Sequence, residues 1–310
     1  MTNRTFTTNL TINVMRCNSK QLFSCHLLVA VLLMLLSCLP MVSEAQEALR
    51  FDSLEYLFGS VRLPYRKAVV NTDADANGRV SLVLYLHGGS SRGSDNTTQM
   101  NEKGIDSISN YLLTQHIPAV FLVPQCPLSA SWGGEMCKVL RSLIDYCVQE
   151  DGIDARRIYL FGGSMGGTGT WTMVNSYPSL FAAAMPCAAN PSRCVPEKVR
   201  LTPVYTVMGT ADNIMSLQTA RDFVNSLTAL GGEAVMDEEE GWTHEQTCIE
   251  SYTTQRLDWI FAQQRDASSA IYNNVLPQES DTFYSLSGVK LAKPVAKGVY
   301  VSGGRKIIVR

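Results

Sequence analysis

The chain has 310 residues, of which 45% are hydrophobic and 17% charged, and its 26 basic and 28 acidic side chains leave a formal net charge of −2. That length fits one large α/β domain or two small ones. The composition excludes collagen, low-complexity disorder and a multi-span membrane protein, and the lack of a basic run argues against a nucleic-acid partner.

The first 45 residues stand apart. Arg4, Arg16 and Lys20 precede an apolar run over residues 27–36, followed by Pro40 and then Ser43-Glu44-Ala45, with small residues at the first and third places. This is the layout of a secretory signal peptide over residues 1–45. The run is short of the ~20 apolar residues needed to span a bilayer, which disfavours the alternative of a membrane anchor. Cleavage before Cys38 with lipid attachment is a second alternative, leaving a lipoprotein or a periplasmic protein. A start at Met15 would give a tidier signal. Export permits disulfides among the six cysteines that follow: Cys126, Cys137, Cys147, Cys187, Cys194 and Cys248. Cys187 and Cys194 flank a short loop and are the best local candidates, with buried free thiols as the alternative. No CxxC or histidine-rich cluster suggests a metal.

Beyond the signal, short apolar runs alternate with longer helical patterns. Strands are expected at residues 80–86, 119–123, 158–161, 181–185 and 204–208, with an antiparallel edge strand at residues 62–68. Helices are expected at residues 105–115, 135–149, 165–176, 217–230 and 248–264. Near-continuous apolar strands alternating with helices imply a mostly parallel, doubly wound α/β sheet with right-handed crossovers. The expected domain runs over residues 46–265. Residues 266–281 read as a polar linker, and residues 282–310 as a tail of short β-strands in which Gly303-Gly304 signals a hairpin.

The strongest local motif is Gly162-Gly163-Ser164-Met165-Gly166-Gly167, after one expected strand and at the start of a helix. A GxSxG sequence in that context is a nucleophile elbow, whose sharp turn exposes the serine hydroxyl at the carboxyl edge of the sheet. The same turn aims the Met165 amide and the positive helix end at a developing oxyanion. α/β-Hydrolases order their triad as serine, acid, histidine. Of the four histidines, only His244 follows Ser164, and it lies in a loop after a last strand. The acid falls between them, and Asp212, in Gly209-Thr210-Ala211-Asp212-Asn213 after a strand, fits it. Asp222 and Asp237 read as surface charges. Leu86-His87-Gly88-Gly89-Ser90 follows an early strand and supplies the second oxyanion donor near Gly88–Ser90, with Gly89 as the candidate beside Met165.

With these residues in place the chain resembles the bacterial α/β-hydrolase esterases related to feruloyl esterases, acetyl xylan esterases and polyhydroxybutyrate depolymerases. Segments over residues 86–96, 123–127, 131–133, 153–159, 163–171, 177–183, 209–212 and 257–261 carry the likeness. The resemblance implies Ser164, Asp212 and His244 as a catalytic triad, no metal or organic cofactor, and an ester substrate such as acylated plant polysaccharide. Relatives usually carry histidine where this chain has Met208, and an aromatic residue where it has Glu245-Gln246-Thr247-Cys248. The tail resembles short C-terminal sorting segments of type IX secretion, through Gly298-Val299-Tyr300-Val301 and Lys306-Ile307-Ile308-Val309-Arg310, which would make the secretion machinery a partner. A serine peptidase of prolyl oligopeptidase type and a non-catalytic carbohydrate-binding surface protein are the alternatives.

Overall fold

In the computed structural model, residues 48–71, 79–191 and 193–265 are described, together with the backbone of four short strands beyond residue 282. The signal segment and the linker expected at residues 266–281 lie outside the described residues.

Eight strands form one sheet in the order β1-β2-β4-β3-β5-β6-β7-β8. They are β1 (Asp52–Phe58), β2 (Val61–Val70), β3 (Val80–Leu86), β4 (Ala119–Pro124), β5 (Ile153–Gly163), β6 (Ala183–Cys187), β7 (Val204–Gly209) and β8 (Ala234–Glu239). β1 and β2 are antiparallel additions, and the other six run parallel. Between them lie α1 (Lys103–Thr114), α2 (Glu135–Glu150), α3 (Met165–Ser176), α4 (Pro196–Val199), α5 (Leu217–Ala229), α6 (His244–Glu250) and α7 (Thr254–Ala262).

The strands are apolar throughout because the sheet is covered on both sides. Alternate residues of β3 enter different cores. Leu82, Leu84 and Leu86 pack with Leu140, Leu143 and Trp171 on one face. Val83 and Tyr85 pack with Ile108, Leu112, Ile260 and Phe261 on the other. Each fully buried side chain of this size is worth about 1.5–3 kcal/mol, so neither face tolerates a polar substitution.

Two elements differ from expectation, and one pair of alternatives is decided. The strand expected at the edge, β2, is one place in from it, because β1 pairs along its outer side from Asp52↔Lys67 to Phe58↔Val61. β1 is largely solvent-facing, so it carries little of the hydrophobic signal by which the buried strands are read. The helix expected over residues 248–264 is two helices. Ser251–Thr253 turns the chain between them, where the Thr253 amide bonds the Ser251 carbonyl at 3.0 Å. Cys187 and Cys194 do not pair: all six described cysteines are free. Cys187 packs into one core and Cys194 against the other, on opposite faces of the sheet.

In the tail, β9 (Phe283–Ser285), β10 (Lys290–Leu291), β11 (Gly298–Ser302) and β12 (Arg305–Val309) form an antiparallel sheet ordered β10-β9-β11-β12. β11 and β12 are consecutive and pair from Gly298↔Val309 to Ser302↔Arg305.

Candidate active site

β3 and β5 are parallel neighbours in register, with Leu86 opposite Gly162. Their carboxyl ends therefore open side by side, and the loop after β3 faces the turn after β5. Carboxyl ends of strands in open α/β sheets are where such folds carry their sites.

Ser164 stands at the turn from β5 into α3, with φ 56° and ψ −119°. A non-glycine residue held there costs on the order of 1–3 kcal/mol, which the surrounding packing sustains. The Ser164 amide bonds the Cys187 carbonyl at 3.1 Å, and its carbonyl accepts from Thr168 at 2.9 Å. The flanking glycines make the turn possible. A Cβ on Gly166 would stand 1.8 Å from the Leu86 carbonyl oxygen, and one on Gly162 2.5 Å from the carbonyl of Gly166.

Asp212 follows β7. Its Oδ1 accepts the amides of Ile214 and Met215 at 2.8 and 2.9 Å. The loop after β7 is tied to the loop after β8. The Thr210 amide bonds the Glu239 carbonyl and the Ala211 amide that of Trp242, and the Gly241 amide bonds Thr210 Oγ1 at 2.8 Å. Gly209 permits this closeness, since a Cβ there would lie 2.1 Å from the Trp242 carbonyl oxygen.

His244 is the first residue of α6 rather than part of a loop. Thr243 caps that helix, accepting the Gln246 amide, while Gln246 Oε1 accepts the Thr243 amide in return. Such a reciprocal box fixes where the helix begins, and so where His244 stands. Gln246 lies within the segment where an aromatic residue was expected by resemblance.

These elements bring the three residues into one relay. His244 Nε2 lies 2.8 Å from Ser164 Oγ, and His244 Nδ1 lies 2.8 Å from Asp212 Oδ2. The Asp212 side chain is fully buried and that of His244 nearly so. A buried carboxylate on Nδ1 holds the proton there and leaves Nε2 free to accept one from the serine.

Gly89 lies beside Met165, the residue that follows the serine. A Cβ on Gly89 would stand 4.0 Å from Met165 Cβ. Gly89 opens a 3-10 turn and Met165 opens α3, so neither amide has a partner within its own helix. The Gly88 amide is not available in the same way, because it donates to Glu102 Oε1 at 3.0 Å. Glu102 carries no motif, and the sequence reading missed it.

The loop after β3 is pinned from below by His87, which is fully buried. Its Nε2 accepts the Cys126 amide at 2.9 Å, so the ring proton is on Nδ1 and is donated to the Gly88 carbonyl at 2.7 Å. Burial pushes its pKa down to about 4. Trp132 packs edge-on against the ring and donates from Nε1 to the His87 carbonyl at 3.0 Å. Gln125 extends the support: its Oε1 accepts the Asn96 amide, and its Nε2 donates to Asp95. The segments at residues 94–96 and 123–127 thus serve to seat this loop.

A cavity of about 520 Å³ opens over Ser164 and His244, walled by Gly88–Ser91, Glu102, Ile214 and Cys248. A second, of about 340 Å³, lies past Met165 along α3, between Trp132, Asn190 and Arg193. Among the described residues no group of three His, Cys, Asp or Glu side chains is arranged to hold a metal ion.

The sheet order, the elbow and the relay define an α/β-hydrolase with the site architecture of a serine hydrolase. The prolyl oligopeptidase family matches over residues 128–190, which include the elbow. A bifunctional acetylxylan esterase/xylanase of Neocallimastix patriciarum is 31% identical over 84 residues, 27% of this chain and 12% of that protein. A thermostable esterase of known structure is 28% identical with a TM-score of 0.65, over 69% of this chain and 63% of that one. The feruloyl esterase module of Clostridium thermocellum, solved with sinapinate, shares the fold at 15% identity and a TM-score of 0.57, over 71% of this chain and 90% of that one. The chain thus spans about one eighth of the curated relative and under two thirds of the thermostable esterase.

Proposed function

We propose that the chain is an exported serine carboxylic-ester hydrolase acting through an acyl-enzyme on acetyl or feruloyl esters of plant polysaccharide. The observation that carries this reading is the unbroken relay from Ser164 Oγ through His244 to the buried Asp212, beside Gly89 and Met165, each the first residue of its helix. His244 Nε2 takes the hydroxyl proton as Ser164 Oγ attacks the ester carbonyl. The carbonyl oxygen becomes an oxyanion between the amides of Gly89 and Met165, the site at which such donors lower the barrier most. Asp212 stabilises the imidazolium, which returns the proton to the departing alcohol. Water then attacks the acyl-enzyme with His244 again as base, and the acid leaves.

The likeness to an acetylxylan esterase/xylanase and to a feruloyl esterase module supports the acyl groups named. A cavity of about 520 Å³ beside the serine is of ligand-binding size. Residues 1–45 would direct export, and the β tail would serve as a sorting segment.

A second reading, amide cleavage, is favoured by the match of the prolyl oligopeptidase family across the elbow. One panel separates the two: p-nitrophenyl acetate, methyl ferulate and aminoacyl amides. Ester cleavage is expected to dominate, and faster amide cleavage would overturn the proposal. Release of acetate against ferulate from xylan fragments then assigns the acyl group.

A further inference from the structure

Glu102 occupies the N-cap position of α1, yet its side chain makes no bond to that helix. It turns the other way. Oε1 accepts the Gly88 amide at 3.0 Å and the Ser91 hydroxyl at 2.7 Å, both from the loop after β3. The carboxylate stands close to the nucleophile. A Cβ on Gly88 would lie 3.4 Å from Glu102 Oε1 and 3.8 Å from Ser164 Cβ. The chain behind it is fixed by core packing. Gly104 lets α1 press onto two aromatic rings, where a Cβ would stand 2.5 Å from Tyr252 and 2.7 Å from Tyr85. The Ile105 amide closes the first turn onto the Glu102 carbonyl at 3.1 Å.

We propose that Glu102 is a positioning residue for the oxyanion loop. One fixed oxygen gathers a backbone amide and a hydroxyl three residues apart, and so sets the peptide plane between them. His87 holds the Gly88 carbonyl from one side and Glu102 holds the Gly88 amide from the other. With both ends of that residue tied, the next residue, Gly89, is held beside Met165, where a Cβ on it would lie 4.0 Å from Met165 Cβ. A full negative charge so near a developing oxyanion opposes it. The useful property of Glu102 is therefore its accepting oxygen rather than its charge. Both bonds fall on Oε1, so a glutamine can accept both through its carboxamide oxygen, whereas alanine accepts neither.

The inference rests on the reading of Ser164 as nucleophile, and its test keeps the two apart. Glu102→Ala, Glu102→Gln and Ser91→Ala are compared with wild type by kcat and KM on p-nitrophenyl acetate. The rate of Ser164 phosphonylation by a fluorophosphonate is followed in parallel by intact mass, and needs no ester substrate. Loss of one oxyanion donor costs about 10²–10³ in rate, and misaiming one costs less. Glu102→Ala is expected to lower kcat about 10- to 100-fold with KM within about three-fold, and to slow phosphonylation in step. Glu102→Gln recovers most of that loss, and Ser91→Ala falls between. Wild-type kcat in Glu102→Ala, or equal losses in the alanine and glutamine variants, would overturn the proposal. If Glu102→Ala does not fold, wild-type rates in Ser91→Ala overturn it, whereas a partial loss there with near-normal rates in Glu102→Gln supports it. A wild-type protein that is phosphonylated but cleaves no ester refutes the esterase reading alone, and the labelling rates of the variants then decide Glu102. Labelling failure in the wild type sinks both.

Discussion

His87 makes the stability of the fold depend on pH in a calculable way. The ring is fully buried and works as a neutral group, accepting at Nε2 and donating at Nδ1. Its folded pKa is about 4 against an ordinary 6.5. As pH falls, the unfolded chain therefore takes up the proton first. The stability held by neutral His87 is fully present above pH 6.5 and is lost as pH drops toward 4. At about 1.4 kcal/mol per pH unit, the interval amounts to about 3 kcal/mol, most of it gone by pH 4.5. The perturbation is His87→Gln, which can still accept the Cys126 amide but cannot titrate. Urea unfolding of both proteins at pH 7.5 and 4.5 isolates the histidine from every other titrating group. Wild type should lose about 2–3 kcal/mol more than the variant between the two pH values. Equal losses, or a His87 imidazole that titrates near 6.5 by NMR, would refute the reasoning.

Other outcomes follow from the site. Ser164→Ala should lower ester hydrolysis about 10⁴- to 10⁶-fold while leaving the circular dichroism spectrum unchanged. Asp212→Asn should cost about 10⁴ in kcat, read by steady-state kinetics, because an amide no longer holds the Nδ1 proton in place. Gly166→Ala forces a methyl into the Leu86 carbonyl at 1.8 Å, so the elbow backbone must move. That change should cost about 3 kcal/mol or more by urea unfolding, and a fully stable variant would contradict the packing described.

What could be read from the sequence divides along physical lines. β3, β4 and β5 were legible because both faces of the sheet are covered, which leaves unbroken apolar runs. β1 was not, since it faces solvent and is held by backbone pairing. Ser164 and Met165 were legible through their glycines, which mark a turn with no room for a side chain. His244 was reached by elimination among four histidines, and its place at a capped helix start depends on Thr243 and Gln246, which carry no chemical signature. Glu102 was invisible for a different reason. Its partners are a backbone amide and a serine hydroxyl 14 and 11 residues away, joined only when α1 docks beside the loop after β3. Whether Cys187 pairs with Cys194 or both stay free thiols was open in the sequence, because proximity along the chain says nothing of which face of a sheet a residue enters.

The six described thiols have a consequence for how this domain can be made. Four are buried and two partly covered, and none is bridged. Burial pushes Cys126, Cys147, Cys194 and Cys248 up to about 12, far from the thiolate that oxidants and disulfides attack. The hydrolase domain therefore asks nothing of an oxidising catalyst to reach its native state. It should refold as well with dithiothreitol as without it, and reach the same structure on either side of a membrane. Its durability comes from the two cores flanking the sheet and not from covalent staples.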